Sequence, residues 1–226
     1  MSRKRPIEGS KKGVKSHLLT LLLVCAFLTP ILSASNAVAD ESGLVINVDA
    51  ANCPSIGIGT PADPFCEISV AVAASSAGDT ISVSAGTYVL STSIEVEHDL
   101  TIQGANSATS ALLRQAGATS ESVIDIRGSY GGFFIHSSNV SISGFDVLGN
   151  ESTRWGFYIA GNEGDLSNIE ISNNLIHGMA KKESALRSTS WGILTDAKAG
   201  GTALNVLSGL HIHGNNIYDI GGHDDS

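Results

Sequence analysis

Beyond residue 39 this 226-residue chain carries little positive charge. Residues 1–39 hold six of its 13 Lys and Arg and one of its 22 acids, which leaves seven bases against 21 acids and a net charge of −14 for the remainder. Such a surface repels nucleic acid and anionic membranes but admits divalent cations. Aromatic residues are few, at 5%, while glycines number 25 and Ser, Thr and Asn are frequent. That balance disfavours a helical bundle and suits short strands joined by tight turns. Long apolar runs are missing as well. The most apolar stretch, Leu18 to Leu28, is short of the roughly 20 residues that a membrane-spanning helix needs.

What the first residues do have is the pattern of an export signal. Arg3, Lys4, Arg5, Lys11, Lys12 and Lys15 precede the apolar stretch, Pro30 breaks it, and Ala37-Val38-Ala39 offers a small-x-small cleavage site. Residues 1–39 are therefore predicted to be a signal peptide, with a mature domain over 40–226 and no transmembrane segment in it. An uncleaved anchor is the alternative. Val24 before Cys25 argues against a lipoprotein site. Cleavage would leave only Cys53 and Cys66. An even pair in a secreted, periplasmic or cell-surface chain reads as a disulfide, with two free thiols as the alternative. Closing so short a loop is worth about 3 kcal/mol in the chain-entropy picture.

The mature part repeats one unit. Asn139-Val140-Ser141-Ile142-Ser143-Gly144 returns as Asn168-Ile169-Glu170-Ile171-Ser172-Asn173 and as Gly209-Leu210-His211-Ile212-His213-Gly214. Asp99-Leu100-Thr101-Ile102-Gln103-Gly104 is a weaker copy. Each alternates apolar and polar residues and ends on one that tolerates a left-handed turn. One short strand cannot bury its own inner face, but stacked copies can, so the pattern predicts a β-solenoid. A second strand type, Trp155-Gly156-Phe157-Tyr158-Ile159, recurs as Trp191-Gly192-Ile193-Leu194-Thr195. The later part thus reads strand, turn, strand, loop, and the longest insertions fall at 180–188 and 198–205. Upstream, Leu44–Val48 reads as an opening strand and Ala85-Gly86-Thr87-Tyr88 as the end of another. Asp63-Pro64 and Gly78 bracket a short helix over the open end of the stack.

The run Pro64-Phe65-Cys66-Glu67-Ile68, Gly78-Asp79-Thr80-Ile81-Ser82-Val83, Ala85-Gly86-Thr87-Tyr88 and Leu100-Thr101-Ile102-Gln103-Gly104 resembles the amino-terminal coils of pectin-lyase-like proteins. The resemblance covers nearly all of 40–226. It implies an all-β, right-handed parallel β-helix with a short amino-terminal capping helix, and polysaccharide as the partner. It implies either a lyase or hydrolase of uronate-containing glycans or a non-catalytic adhesive scaffold. In lyases of this fold a Lys or Arg is the base, and calcium held by acids helps to acidify the proton. Lys182 and Arg187 sit in the longest insertion, and Glu170 and Asp146 are acids, but no lyase motif is recognisable.

Stacking the copies in register places Glu170 beside His211 on the outer face, where the two form an acid/base pair, share a metal, or make only an exposed cross-strand contact. Ser143, Ser172 and His213 form a second outward column. Trp155 and Trp191 occupy matching places, with Tyr158 nearby. Facing outward they are a platform for sugar rings, and tucked inward they are packing anchors. Gly144, Asn173 and Gly214 align at the turn, as do Asn174 and Asn215, in a structural role. The last repeat stops after Ile220 without its partner strand or a cap. That predicts either a missing carboxy-terminal part or another subunit over the open end.

Overall fold

The alternation of apolar and polar residues becomes a stack of parallel strands. The computed structural model describes residues 43–180, 189–196 and 205–221. The export segment, Lys182, Arg187 and the acidic tail lie outside the described residues.

The strands are β1 (Val45–Val48), β2 (Asp79–Val83), β3 (Gly86–Val89), β4 (Ile94–Val96), β5 (Leu100–Gln103), β6 (Ser122–Asp125), β7 (Gly131–Ile135) and β8 (Val140–Ser143). They continue with β9 (Phe145–Leu148), β10 (Trp155–Ile159), β11 (Leu166–Ser172), β12 (Leu175–His177), β13 (Trp191–Thr195), β14 (Leu207–His213) and β15 (Asn216–Ile217). They form three sheets, ordered β1-β2-β5-β8-β11-β14, β3-β6-β9-β12-β15 and β4-β7-β10-β13. Every pairing is parallel. Each full turn of chain thus lays one strand on each of three sheets, the arrangement of a parallel β-solenoid.

The register follows the repeats. Val140 pairs with Ile169 and Ile169 with Leu210; Ile142 pairs with Ile171 and Ile171 with Ile212. The columns continue upward through Leu100 and Ile102 to Ile81 and Ile46. Ile81, Ile102, Ile142 and Ile171 are fully buried, and each such side chain contributes about 1.5–3 kcal/mol. Phe133 and Phe157 stack inside at 5.2 Å. Ile142→Ala would open a cavity in this column and cost about 2–5 kcal/mol.

Three expectations need correction. The unit holds three strands, not two. Gly86–Val89, expected as a strand end, is β3, and β9, β12 and β15 follow the repeat copies after a one- or two-residue corner. Positive φ at Gly144 (82°), Asn173 (55°) and Gly214 (65°) makes that corner, so the two strands read as one in the sequence. Gly104 keeps its place for another reason: a Cβ there would lie 2.5 Å from Gly144 O. The short helix α1 (Ile68–Ala74) starts after Glu67 rather than at Asp63-Pro64. Asp63 is instead held in a turn by Thr60, whose carbonyl and hydroxyl both accept from its N–H. α1 buries Ile68, Ala71 and Val72 in the core and packs against β1, β2 and β4. Cys53 and Cys66 form a disulfide, with Cα atoms 5.0 Å apart. No helix among the described residues is long and apolar enough to cross a membrane.

Ser143 and Ser172, expected in an outward column with His213, are buried. The segment 105–121, between β5 and β6, folds back as a strap over the corner of the six- and five-stranded sheets. Arg114 donates to Asn173 O (2.8 Å), Phe145 O (2.8 Å) and Asn106 O (3.2 Å). It also lies 3.2 Å from Glu121, and both side chains are almost fully buried. Burial pushes the Glu121 carboxyl up, against the pull of Arg114, and pushes the Arg114 guanidinium down. Below the strap, Asn174 and Asn215 bond along the turn. Asn174 Oδ1 accepts from Phe145 N at 3.0 Å, and Asn215 Oδ1 accepts from Asn174 N at 2.9 Å.

Candidate functional site

The outer face of the four-stranded sheet gathers rings. In β10 the two-residue alternation is broken. Phe157 and Ile159 are core residues, and a Cβ on Gly156 would also point inward, 2.9 Å from Ile176 Cγ2. With two successive inward positions, Trp155 and Tyr158 emerge on the same outer face, their rings 5.1 Å apart. β7 has the same shape. Phe134 pairs with Tyr158 in register and stacks on it at 4.7 Å and 13°. Tyr130 meets Trp155 edge-on at 4.9 Å. Trp191 pairs with Trp155, and Arg154 lies over the rings of Trp191 (5.1 Å) and Tyr130 (5.9 Å).

Glycine makes room for this row. A side chain on Gly131 would collide with the Trp155 indole. The rings are half-buried except Tyr130, which is 58% exposed. Trp155 Nε1 is buried and has no hydrogen-bond partner among the described residues.

Carboxylates line the margin. Glu95 on β4 stands in register with Phe134. His136, whose ring lies 4.1 Å from that of Phe134, is held between Glu95 Oε2 at Nε2 and Glu163 Oε2 at Nδ1, both at 2.8 Å. Partial burial works against the charged imidazole, but the hydrogen bonds and charges of Glu95 and Glu163 outweigh it and raise its pKa. Tyr158 Oη lies 3.4 Å from both Asp196 Oδ2 and Asn162 Oδ1. Its pKa is raised by burial and by Asp196.

The acid and imidazole on the six-stranded sheet are arranged differently. Glu170 and His211 are Cα partners, as expected from the repeats. The Glu170 carboxylate, however, meets His213 Nε2 at 3.2 Å and accepts from Ser172 Oγ at 2.8 Å. His213 and Glu170 side chains are 60% and 44% exposed. A shallow cavity of about 270 Å3 runs past Ser141, Glu170 and His211. Asp146, by contrast, is buried under the strap, bonded to His177 Nε2 (2.8 Å) and to Gly117 N (2.6 Å). His177 stacks on Tyr218 at 5.0 Å. Among the described residues no group of three acids, histidines or cysteines is arranged to hold a metal ion.

Of the sequence candidates, Trp155, Tyr158 and Trp191 come together on one face. Glu170 and His211 lie on another, and Lys182 and Arg187 fall outside the described residues. Tyr130, Phe134, His136, Glu95 and Glu163 were missed. One signal was present: Gly131-Gly132-Phe133-Phe134-Ile135 is a further copy of the Trp155–Ile159 strand.

Comparison with protein-family models, curated proteins and solved structures finds no match for this chain.

Proposed function

We propose that this is an exported β-helix protein that binds polysaccharide on the outer face of its four-stranded sheet. The observation that carries the reading is the cluster Trp191, Trp155, Tyr158 and Phe134, rings packed on one another with part of each open to solvent, and acids at the margin. The exposed parts of such rings take the C–H groups of sugars, and hydrogen-bonding groups beside them take the hydroxyls. Strand register spreads this surface over three neighbouring strands, about 10 Å, long enough for a chain rather than a single sugar. The disulfide supports an oxidising compartment. The finer assignment, a right-handed coil of the pectin-lyase-like kind, rests on the resemblance of residues 64–104 and is supported by the three parallel sheets.

Affinity electrophoresis through gels cast with uronate, neutral and amino-sugar polysaccharides tests this. Retardation in at least one gel is expected, and Trp155→Ala should abolish it. Unretarded migration of the wild type in every gel sinks the reading. Turnover is the second reading, favoured by the two carboxylates, Glu95 and Glu163, that bracket His136 beside the rings. Release of unsaturated or reducing sugars, with and without calcium, would report it. Loss of that release in Lys182→Ala or Arg187→Ala would point to a lyase base in the insertion.

A further inference from the structure

The aromatic row runs into a cavity. Tyr158, Phe134 and Glu95 form one outward column across three adjacent strands. Its last member, Glu95, also lines a cavity of about 470 Å3 between α1 and β4. That volume falls in the range of small-molecule sites. From Tyr158 to Glu95 is two strand spacings, about 10 Å, so a chain lying on the rings reaches the cavity at its end.

The cavity lining is chemically one-sided. Val72, Ala73 and Ile94 give it an apolar wall; Glu95 and Glu97 give it two carboxylates, and no Lys or Arg lines it. Ser75 Oγ donates to Val72 O at 2.7 Å and lies 2.9 Å from His98 Nε2. Glu95 is engaged by His136, itself shared with Glu163. Glu97, exposed on the cavity rim, has no ion pair among the described residues. A neutral sugar would leave Glu97 to water, and a uronate would be repelled by it. A sugar bearing a protonated amine would meet Glu97 with its charge, its C–H face on the apolar wall.

We infer that this cavity is the terminal subsite of the glycan track and takes an amino-sugar residue, with its ammonium against Glu97. The inference rests on the aromatic face being a glycan-binding face, and the experiment separates the two. Calorimetric titrations use glucosamine oligomers, their N-acetylated counterparts and oligogalacturonate, against the wild type, Glu97→Gln, Ala73→Phe and Trp155→Ala. Glu97 and Ala73 are both exposed, so these variants should fold, and circular dichroism checks that they do.

The expected result is tightest binding of the glucosamine oligomer. Glu97→Gln should weaken that oligomer alone, by about three- to fivefold. Ala73→Phe should remove its advantage by filling the cavity, and Trp155→Ala should weaken glucosamine and N-acetylated oligomers alike. If oligomers bind through Trp155 but Glu97→Gln and Ala73→Phe change nothing, or oligogalacturonate binds best, the subsite is overturned and the face stands. If no oligomer binds to any variant, both fall.

Discussion

The strapped corner and the ringed face are built on the same coils but on different sheets, and they finish their surfaces in opposite ways. At the corner, segment 105–121 lies over the turn ladder. Arg114 bonds to carbonyls of the stack, Asn173 bonds back to Ser107 O of the strap, Asn174 and Asn215 bond along the turn, and Glu121 pairs with Arg114 inside the strap. On the face, rings pack on each other, on His136 and under Arg154, and they stay partly open to solvent. A corner covered by its own strap offers a ligand little surface, whereas half-buried rings with polar groups beside them still have contacts to make. On the function proposed above, the corner serves stability and the face serves binding.

The largest effect should therefore come from the corner and leave binding alone. Arg114→Met strands Glu121 in a buried site and should cost about 3–5 kcal/mol by chemical denaturation. Adding Glu121→Leu should recover much of that loss, since neither buried charge then remains. Glycan retention per folded molecule should not change in either variant. Loss of retention in the folded double variant would break the division between the two regions.

Trp155→Ala is the mirror experiment. It should lower glycan affinity by about tenfold or more, as truncation of a central aromatic anchor does. The stability cost should be about 2 kcal/mol, because the ring is only half-buried. A loss of stability with unchanged retention would reduce the row to packing.

The next effect is a pH dependence on the face. His136 has a raised pKa in the folded state, so its contribution to stability is fully present below the ordinary histidine value of about 6.5. That contribution is lost as pH rises through the elevated folded value. The wild type should thus exceed His136→Gln in denaturation midpoint at about pH 5.5, a unit below the ordinary value, and the gap should close on the alkaline side. A gap that widens with rising pH would mean that Glu95 and Glu163 do not hold the charged imidazole.

How much of this was legible in the sequence depends on how each region is encoded. The inward columns were readable because Val, Ile and Leu recur at every second position of each copy, and the register follows from them. The third strand of each coil was hidden, because a single left-handed residue, Gly144, turns the chain between Ser143 and Phe145 without a polar break. The strap was not readable at all. Arg114 bonds to carbonyls of Phe145 and Asn173, and backbone acceptors leave no side-chain signature. On the face, Trp155, Tyr158 and Trp191 could be picked by type. That Trp155 and Tyr158 share a side depends on Gly156 and Phe157 both turning inward, which strict alternation forbids.

The smallest expected effect is on Glu170, and it tests whether register alone makes a site. Glu170 and His211 are partners across adjacent strands, the geometry that made them an acid/base candidate. The carboxylate turns instead to His213, and with 44% and 60% of the two side chains exposed, water screens the pair. Such a contact is worth a few tenths of a kcal/mol. Glu170→Gln should leave the denaturation midpoint and glycan retention almost unchanged. If sugar release is found in the wild type and disappears in Glu170→Gln, chemistry sits on the six-stranded sheet and the binding face serves it from the neighbouring side. If release survives, adjacency in a ladder has brought an acid and an imidazole together without giving them the desolvation that would let either act on the other.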